Sequence, residues 1–397
     1  MRSPYGVIPC HPVHKTSAVS SNAQFISNST LILSLVNDSL QVNMSHTQRT
    51  IPLGQKLQFA IGYFPRLLRA YTSTIFTALG RLRFDSTFLY RLFRLRMTQN
   101  MSGMPVLQMR AGMPTTGQIV EQFCEAQNLS FKKATIQPDG FSSASLYFIE
   151  TEPSAGDDVL LYFHGGAYMY PLSNGNILKF LRKMAAFSSR RLVVLEYSLT
   201  PEAKYPTQLA QAVEALTLLL KTRELSQIVV GGDSAGGNLT FALLAHIHQP
   251  HPALRKLEVE PSEQFAAAFG ISARVNNTTE APSFDRNNGR DIINRASVEQ
   301  ISATWKPDPD HIWAAPTKAT FWKDVKAKKI LLVAGEDEVY VDDISTFASK
   351  IGAETGRSDR QYKICPGEYH DQWAIDMGMG IEDGIMTEAL RDWFRSL

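Results

Sequence analysis

The sequence predicts an α/β fold: a mainly parallel central sheet, flanked by helices and carrying a helical cap. Three observations predict it. From about residue 115 onward, short β-rich runs alternate with helical patterns, which is how parallel strands joined by crossover helices read. Two of those runs, 159–163 and 227–230, end at or just before a glycine-rich turn. The chain has 397 residues, 44% hydrophobic and 20% charged, enough to bury a large core as one domain or as a domain plus a cap.

Taken in order, residues 1–50 are rich in Ser, Asn, Thr and Gln with no lasting period, and are read as a disordered tail. Met44 opens a more ordinary-looking start, so the first 43 residues are read as a gene-model extension. Residues 51–115 form an N-terminal helical cap segment. Within 55–97, Leu, Phe, Ile and Tyr interleave with Arg66, Arg69, Arg81, Arg83, Arg91, Arg94 and Arg96. Two readings stand: a cap helix pair with a solvated basic face, which is preferred, or a contact with a membrane surface. Residues 116–397 carry the α/β domain. Its strands are expected at 131–137 and 145–150 (an opening hairpin), 159–163, 192–196, 227–230, 264–269, 330–334 and 361–364. The helices are expected at 175–188, 205–222, 235–248, 341–353 and 384–396. Residues 272–325 are irregular and interrupt the alternation, so they are read as an insertion over the sheet.

Bulk properties exclude several classes. A net charge of +2 is too near balance for a nucleic-acid partner. Three cysteines, Cys10, Cys124 and Cys365, suit neither a disulfide framework nor a metal site. The N-terminus shows no secretory signal and no run reaches a membrane span, so an intracellular location is expected. The Asn-x-Ser/Thr sequons at Asn28, Asn37, Asn43 and Asn128 are then read as chance.

The run Gln227–Val230 leads into Gly231-Gly-Asp-Ser234-Ala-Gly-Gly237, and a helix pattern follows. Gly232-Asp-Ser-Ala-Gly236 therefore satisfies G-x-S-x-G in the strand–turn–helix context it requires. Its glycines let neighbouring backbone approach, and the helix N-terminus beside Ser234 favours developing negative charge. Ser234 is the candidate nucleophile. The run Val159–Phe163 enters His164-Gly165-Gly166-Ala167, about 70 residues earlier. Its amides can meet a carbonyl oxygen as it becomes an oxyanion, each worth roughly 3–4 kcal/mol in a transition state. The expected donors are Gly165, Gly166 and Ala235, with Ala167 narrowing the pocket and His164 bracing the loop. Of nine histidines, His370 alone follows the last strand at the same edge as Ser234, and it is the candidate base. The acid should follow the strand at 330–334, where Glu336, Asp337, Glu338, Asp342 and Asp343 compete.

These landmarks together resemble the hormone-sensitive-lipase branch of the α/β hydrolases, over roughly residues 115–397. That branch shows HGGG, Y-x-L-A-P-E, GDSAG, D-P-L-x-D and a final His. Here Tyr197-Ser-Leu-Thr-Pro-Glu202 matches the second element, with Thr200 for Ala. Laid on D-P-L-x-D, the run Glu338–Asp342 puts the acid on Glu338, 32 residues before His370, with Asp337 as runner-up. The resemblance also implies that 51–115 and the insertion build the cap. It implies acyl transfer through a serine acyl-enzyme on a small-molecule ester, without metal or organic cofactor. Three rivals are kept: a receptor of the same fold, disfavoured because Ser234 and His370 are both present; acyl transfer or a tailoring step on a natural-product intermediate; and a lipase working at a membrane surface.

Overall fold

The computed structural model describes residues 53–150, 156–353 and 357–397. The expected tail and gene-model extension lie outside the described residues. Eight strands form one sheet: β1 (Phe131–Ile136), β2 (Ala144–Ile149), β3 (Val159–Phe163), β4 (Arg191–Glu196), β5 (Ile228–Asp233), β6 (Ala267–Ile271), β7 (Ile330–Gly335) and β8 (Arg360–Cys365). The order is β1-β2-β4-β3-β5-β6-β7-β8. The β1–β2 and β2–β4 pairs are antiparallel, and the remaining neighbours are parallel. β3, β5, β6 and β7 are buried at every residue, because helices cover both faces of a parallel sheet.

Twelve helices are described: α1 (Leu53–Arg81), α2 (Ser86–Met101), α3 (Val106–Arg110), α4 (Thr116–Ala126), α5 (Gly175–Phe187), α6 (Thr207–Leu220), α7 (Ala235–His248), α8 (Ser283–Arg286), α9 (Arg295–Trp305), α10 (Val341–Ile351), α11 (Gln372–Met377) and α12 (Ile385–Arg395). The apolar sides of α6, α7 and α10 form one core with one face of the sheet. Those of α4, α5, α11 and α12 form a second core on the other face. Three layers result, as hydrophobic alternation on both faces of a sheet demands.

Local chemistry explains several ends. Thr115 and Gln118 close a capping box at the start of α4. Asn174 caps α5, and Asn294 caps α9. The Glu368 carboxylate accepts from the backbone N–H groups of Ile385 and Met386, each at 2.8 Å, and so caps α12 from the loop after β8.

Two expectations need correction. The insertion at 272–325 is not irregular throughout. It contains α9, which buries Val298, Ile301 and Trp305 at helical spacing and leaves much of its surface polar. β6 spans 267–271 rather than 264–269, because Phe265 makes only an isolated bridge, to Ala327. The segment at 51–115 holds α1, α2 and α3, and α2 is pinned to the body by Arg91, whose Nε donates to Asp376 at 2.8 Å.

Candidate active site

Ser234, His370 and Glu338 come together because each follows the carboxyl end of a parallel strand. β3, β5, β6, β7 and β8 end at one edge of the sheet, in register Phe163 with Gly232, Asp233 with Ile271 and Gly335 with Cys365. The residues just past those ends are His164, Ser234, Ser272, Glu338 and His370. This is where open α/β sheets place their sites.

At the elbow, Ser234 has φ +49° and ψ −111°, a conformation that costs a non-glycine residue about 1–3 kcal/mol. The turn is held by the Ser234 N–H donating to the Ile271 carbonyl at 2.8 Å, and by the Arg274 N–H donating to the Ser234 carbonyl at 3.2 Å. Gly232 and Gly236 are required by close approach: a Cβ on either would run into the carbonyl oxygen of Phe163.

Ser234 Oγ lies 2.8 Å from His370 Nε2, and His370 Nδ1 lies 3.2 Å from Glu338 Oε2. With its proton on Nδ1, the imidazole donates to Glu338 and accepts from the Ser234 hydroxyl. Glu338 is fully buried, and burial pushes its carboxyl up to about 8. Burial pushes the His370 imidazole down, against the pull of Asp291 and Asp233. Asp337, the runner-up acid, turns outward to Arg290 at 3.3 Å. Glu336 accepts from the Gly367 N–H, Asp342 pairs with Arg286, and Asp343 accepts from Asn276.

The expected oxyanion donor Gly165 is corrected. Its N–H donates to Asp233 Oδ1 at 2.9 Å, which removes it from the free donors. The amides of Gly166, Ala167 and Ala235 meet no acceptor among the described residues. Ala167 stands at φ +58° beside Gly166 at φ +108°, so the loop turns left-handed at the position where the resemblance would place a third glycine.

His164 braces this loop. The Gly165 carbonyl can only accept, so the neutral ring carries its proton on Nδ1, and Thr116 Oγ, which accepts from the Leu172 N–H at 3.1 Å, donates to His164 Nε2, also at 3.1 Å. His164 Nδ1 is then the donor to the Gly165 carbonyl at 2.6 Å. Burial pushes the ring down to about 4, which keeps it neutral. Tyr197 stacks on it and donates its hydroxyl to the His164 carbonyl at 2.7 Å. The Tyr197–Glu202 motif therefore supports the His-Gly-Gly loop directly. Arg110 of α3 ties the Tyr197–Glu202 motif down, donating to the Thr200 carbonyl at 3.1 Å and pairing with Glu202.

Sequence reasoning missed four groups. Asp291, in the insertion, is fully buried. Its Oδ2 accepts from Val339 N–H at 2.6 Å, and its Oδ1 accepts from His370 N–H at 3.1 Å and from Ile292 N–H at 2.6 Å. It thus links the loop of the acid to the loop of the histidine, and burial pushes it up to about 7. Asp371 Oδ2 lies 3.4 Å from His370 Nε2, and burial followed by neighbouring carboxylates raises it well above the usual range. Ser272 Oγ accepts from Asp371 N–H at 3.1 Å. Arg274 is buried with its guanidinium over the Trp305 ring, Nη2 on Ser302 Oγ at 2.8 Å. A local signal existed for Asp371 alone, which adjoins His370.

A model of the α/β-hydrolase fold matches residues 160–374, more than half of the chain. The chain belongs to the α/β-hydrolase family. Two curated relatives of this α/β hydrolase are similar over part of their length. Steryl acetyl hydrolase 1 of Saccharomyces cerevisiae is 30% identical over 29% of this chain and 26% of its own. A putative steryl acetyl hydrolase of Schizosaccharomyces pombe is 24% identical over 49% of this chain and 54% of its own. The chain thus spans about half or less of the relatives it matches. Among solved structures, an esterase from the bacterial hormone-sensitive lipase family superposes with a TM-score of 0.55 at 21% identity, over 78% of this chain and 99% of that one. The family model and this neighbour show the α/β-hydrolase fold that the motifs predict.

Proposed function

We propose that this α/β hydrolase cleaves a carboxylic ester through an acyl-enzyme on Ser234. One observation carries the reading: a continuous relay from Ser234 Oγ to His370 Nε2 at 2.8 Å and from His370 Nδ1 to Glu338 at 3.2 Å. His370 takes the Ser234 proton as Oγ attacks the ester carbonyl, and the carbonyl oxygen becomes an oxyanion facing the amides of Gly166, Ala167 and Ala235. His370 then protonates the leaving alcohol oxygen as its bond to the acyl carbon breaks. A water, deprotonated by His370, attacks the acyl-enzyme and frees the acid and Ser234. Glu338 fixes the imidazole tautomer and balances the imidazolium.

The names of the relatives favour acetyl as the acyl group. Ser234 is 8% exposed and His370 4%, so an ester reaches them from beneath the cap. A receptor of the same fold would not need a base within reach of its serine. The test is labelling by a fluorophosphonate, wild type against Ser234→Ala, followed by p-nitrophenyl esters of rising chain length. We expect labelling of wild type, its loss in the variant, and the highest kcat/KM on the acetate. Absence of labelling in folded wild type would overturn the hydrolase reading, and a preference for long acyl chains would overturn the acetyl assignment.

A further inference from the structure

α1 carries an apolar stripe that faces away from the protein. Leu57, Ile61, Phe64, Leu68, Ile75 and Leu79 are each more than half exposed, and Tyr71 lies in the same line at 51%. Their spacing of three and four residues keeps them within a narrow band of the helix surface for roughly 33 Å. A separate band, with Ala70, Thr74 and Ala78, is buried, and α1 packs against α2. The stripe therefore exceeds what folding requires of α1. An exposed apolar surface of this length marks an interaction site.

Charge identifies the occupant. Residues 53–101 hold eight Lys or Arg against one acidic residue, Asp85, in a chain whose net charge is only +2. Arg69, Arg81, Arg83 and Arg94 are exposed. A second copy docking stripe to stripe would bring two cationic helices together with no carboxylate on α1 to pair them, so the charge opposes a dimer. An anionic bilayer surface meets both requirements, accepting the apolar side chains below the headgroups and pairing the arginines with phosphate. Among the described residues no helix is long and apolar enough to cross a membrane, so α1 would lie in the plane of the interface.

The stripe also begins beside a cleft between α1, α3 and α9. Gln58, next to Leu57, lines a cleft of about 460 Å³ with Val106, Leu107, Pro201, Gln300 and Thr304. Val106 and Ile301 pack on Met169, next to Ala167 and Tyr170 of the oxyanion loop. We propose that α1 is an interfacial helix that seats the protein on anionic lipid, with the cap cleft at the membrane side.

The test uses the full chain and flotation with vesicles of neutral phosphatidylcholine, with and without a third of phosphatidylserine. We expect flotation with the anionic vesicles, lost at high salt. Ile61→Asp/Leu68→Asp/Ile75→Asp should weaken binding at least about tenfold. Arg69→Glu/Arg81→Glu should do so with the apolar stripe intact, which covers the case in which the triple variant folds poorly. Circular dichroism reports the fold, and Ser234→Ala should float like wild type, so this result is independent of the hydrolase reading. Both surface variants should keep wild-type rates on a water-soluble ester. Folded wild type that does not float overturns the proposal, whether the stripe is then found in a dimer, by analytical ultracentrifugation, or covered by residues 1–52, by protease protection.

Discussion

At Glu338 and Asp337, neighbours in one short loop, the chain separates two carboxylates by burial and partner. Glu338 is fully buried against His370, and Asp337 faces Arg290. Glu338→Gln should lower kcat by roughly 10³–10⁴-fold, the range for a lost triad acid, with KM little changed. Asp337→Asn should leave kcat within about twofold, since exposed ion pairs contribute little. The reverse ranking in steady-state kinetics would move the acid to Asp337. We propose Asp291 as a positioning residue, on its hydrogen bonds to the loops of Glu338 and His370. Replacing it by Asn sets an amide NH₂ against one of the N–H groups that the carboxylate now accepts, at a cost of about 1–3 kcal/mol. We expect Asp291→Asn to lower kcat roughly 10- to 100-fold by displacing His370 or Glu338, with KM held. An unchanged kcat in a merely less stable variant would make Asp291 structural only. Ser234 and His370 were legible because a strand–turn–helix motif and a chain order mark them. Asp291 was not, because its partners lie 48 and 79 residues away and no spacing announces them.

The strands were legible as elements because each is a short apolar run between turn residues. The strand bounds that the sequence misses share a cause, which is pairing. β5 continues through Gly231, Gly232 and Asp233 although glycine disfavours strands, because β3 and β6 hydrogen-bond it on both sides. β6 starts late because residues 264–266 have no continuous partner. α9 was hidden by polarity: with few apolar positions its period is faint, and its buried side chains pack on loop and helix residues, Ile301 on Val106 and Met169 and Trp305 on Tyr168. Trp305 is the pivot of that packing. It stacks on Tyr168 at 4.5 Å, donates its indole N–H to Gln208 at 3.1 Å, and accepts at its carbonyl from Tyr205 N–H. Tyr168 in turn donates to Asn238 in the helix behind Ser234. Trp305→Ala should therefore destabilise by about 3–5 kcal/mol. It should also loosen the cap over the site, raising KM for small esters more than it lowers kcat. Thermal melting and ester kinetics together check both, and a KM unchanged in the destabilised variant would detach α9 from the substrate side of the cap.

Across the whole molecule, buried acids make stability depend on pH, and under the proposed hydrolase reading they set activity against it. Glu338 is raised to about 8, Asp291 to about 7, and Asp233 and Asp343 to about 6, in each case by burial first. In the unfolded chain such carboxyls titrate near 4. Between those limits these carboxyls bind more protons in the folded protein than in the unfolded one, so their contribution to stability falls as pH rises. Asp359, held at about 2 by Arg357, works in the opposite sense, but it loses its effect only below about pH 4; the buried His164 and His251 rings, pushed down to about 4, also oppose the trend up to about pH 6.5, but the raised carboxyls outnumber them. Catalysis asks for the reverse of stability. His370, pushed below its ordinary value, is neutral by the middle of the range, while Glu338 ionises late. We expect kcat/KM to climb until about pH 8 while the melting temperature drifts down from pH 5 to pH 8. Glu338→Gln isolates one term, because glutamine carries no proton to lose. Its stability relative to wild type should rise by roughly 1 kcal/mol or more across that interval. Melting curves of both proteins at pH 5, 6.5 and 8 decide it. Parallel curves would mean that Glu338 titrates like an ordinary carboxylate, and that the late acid limb of activity belongs to another group.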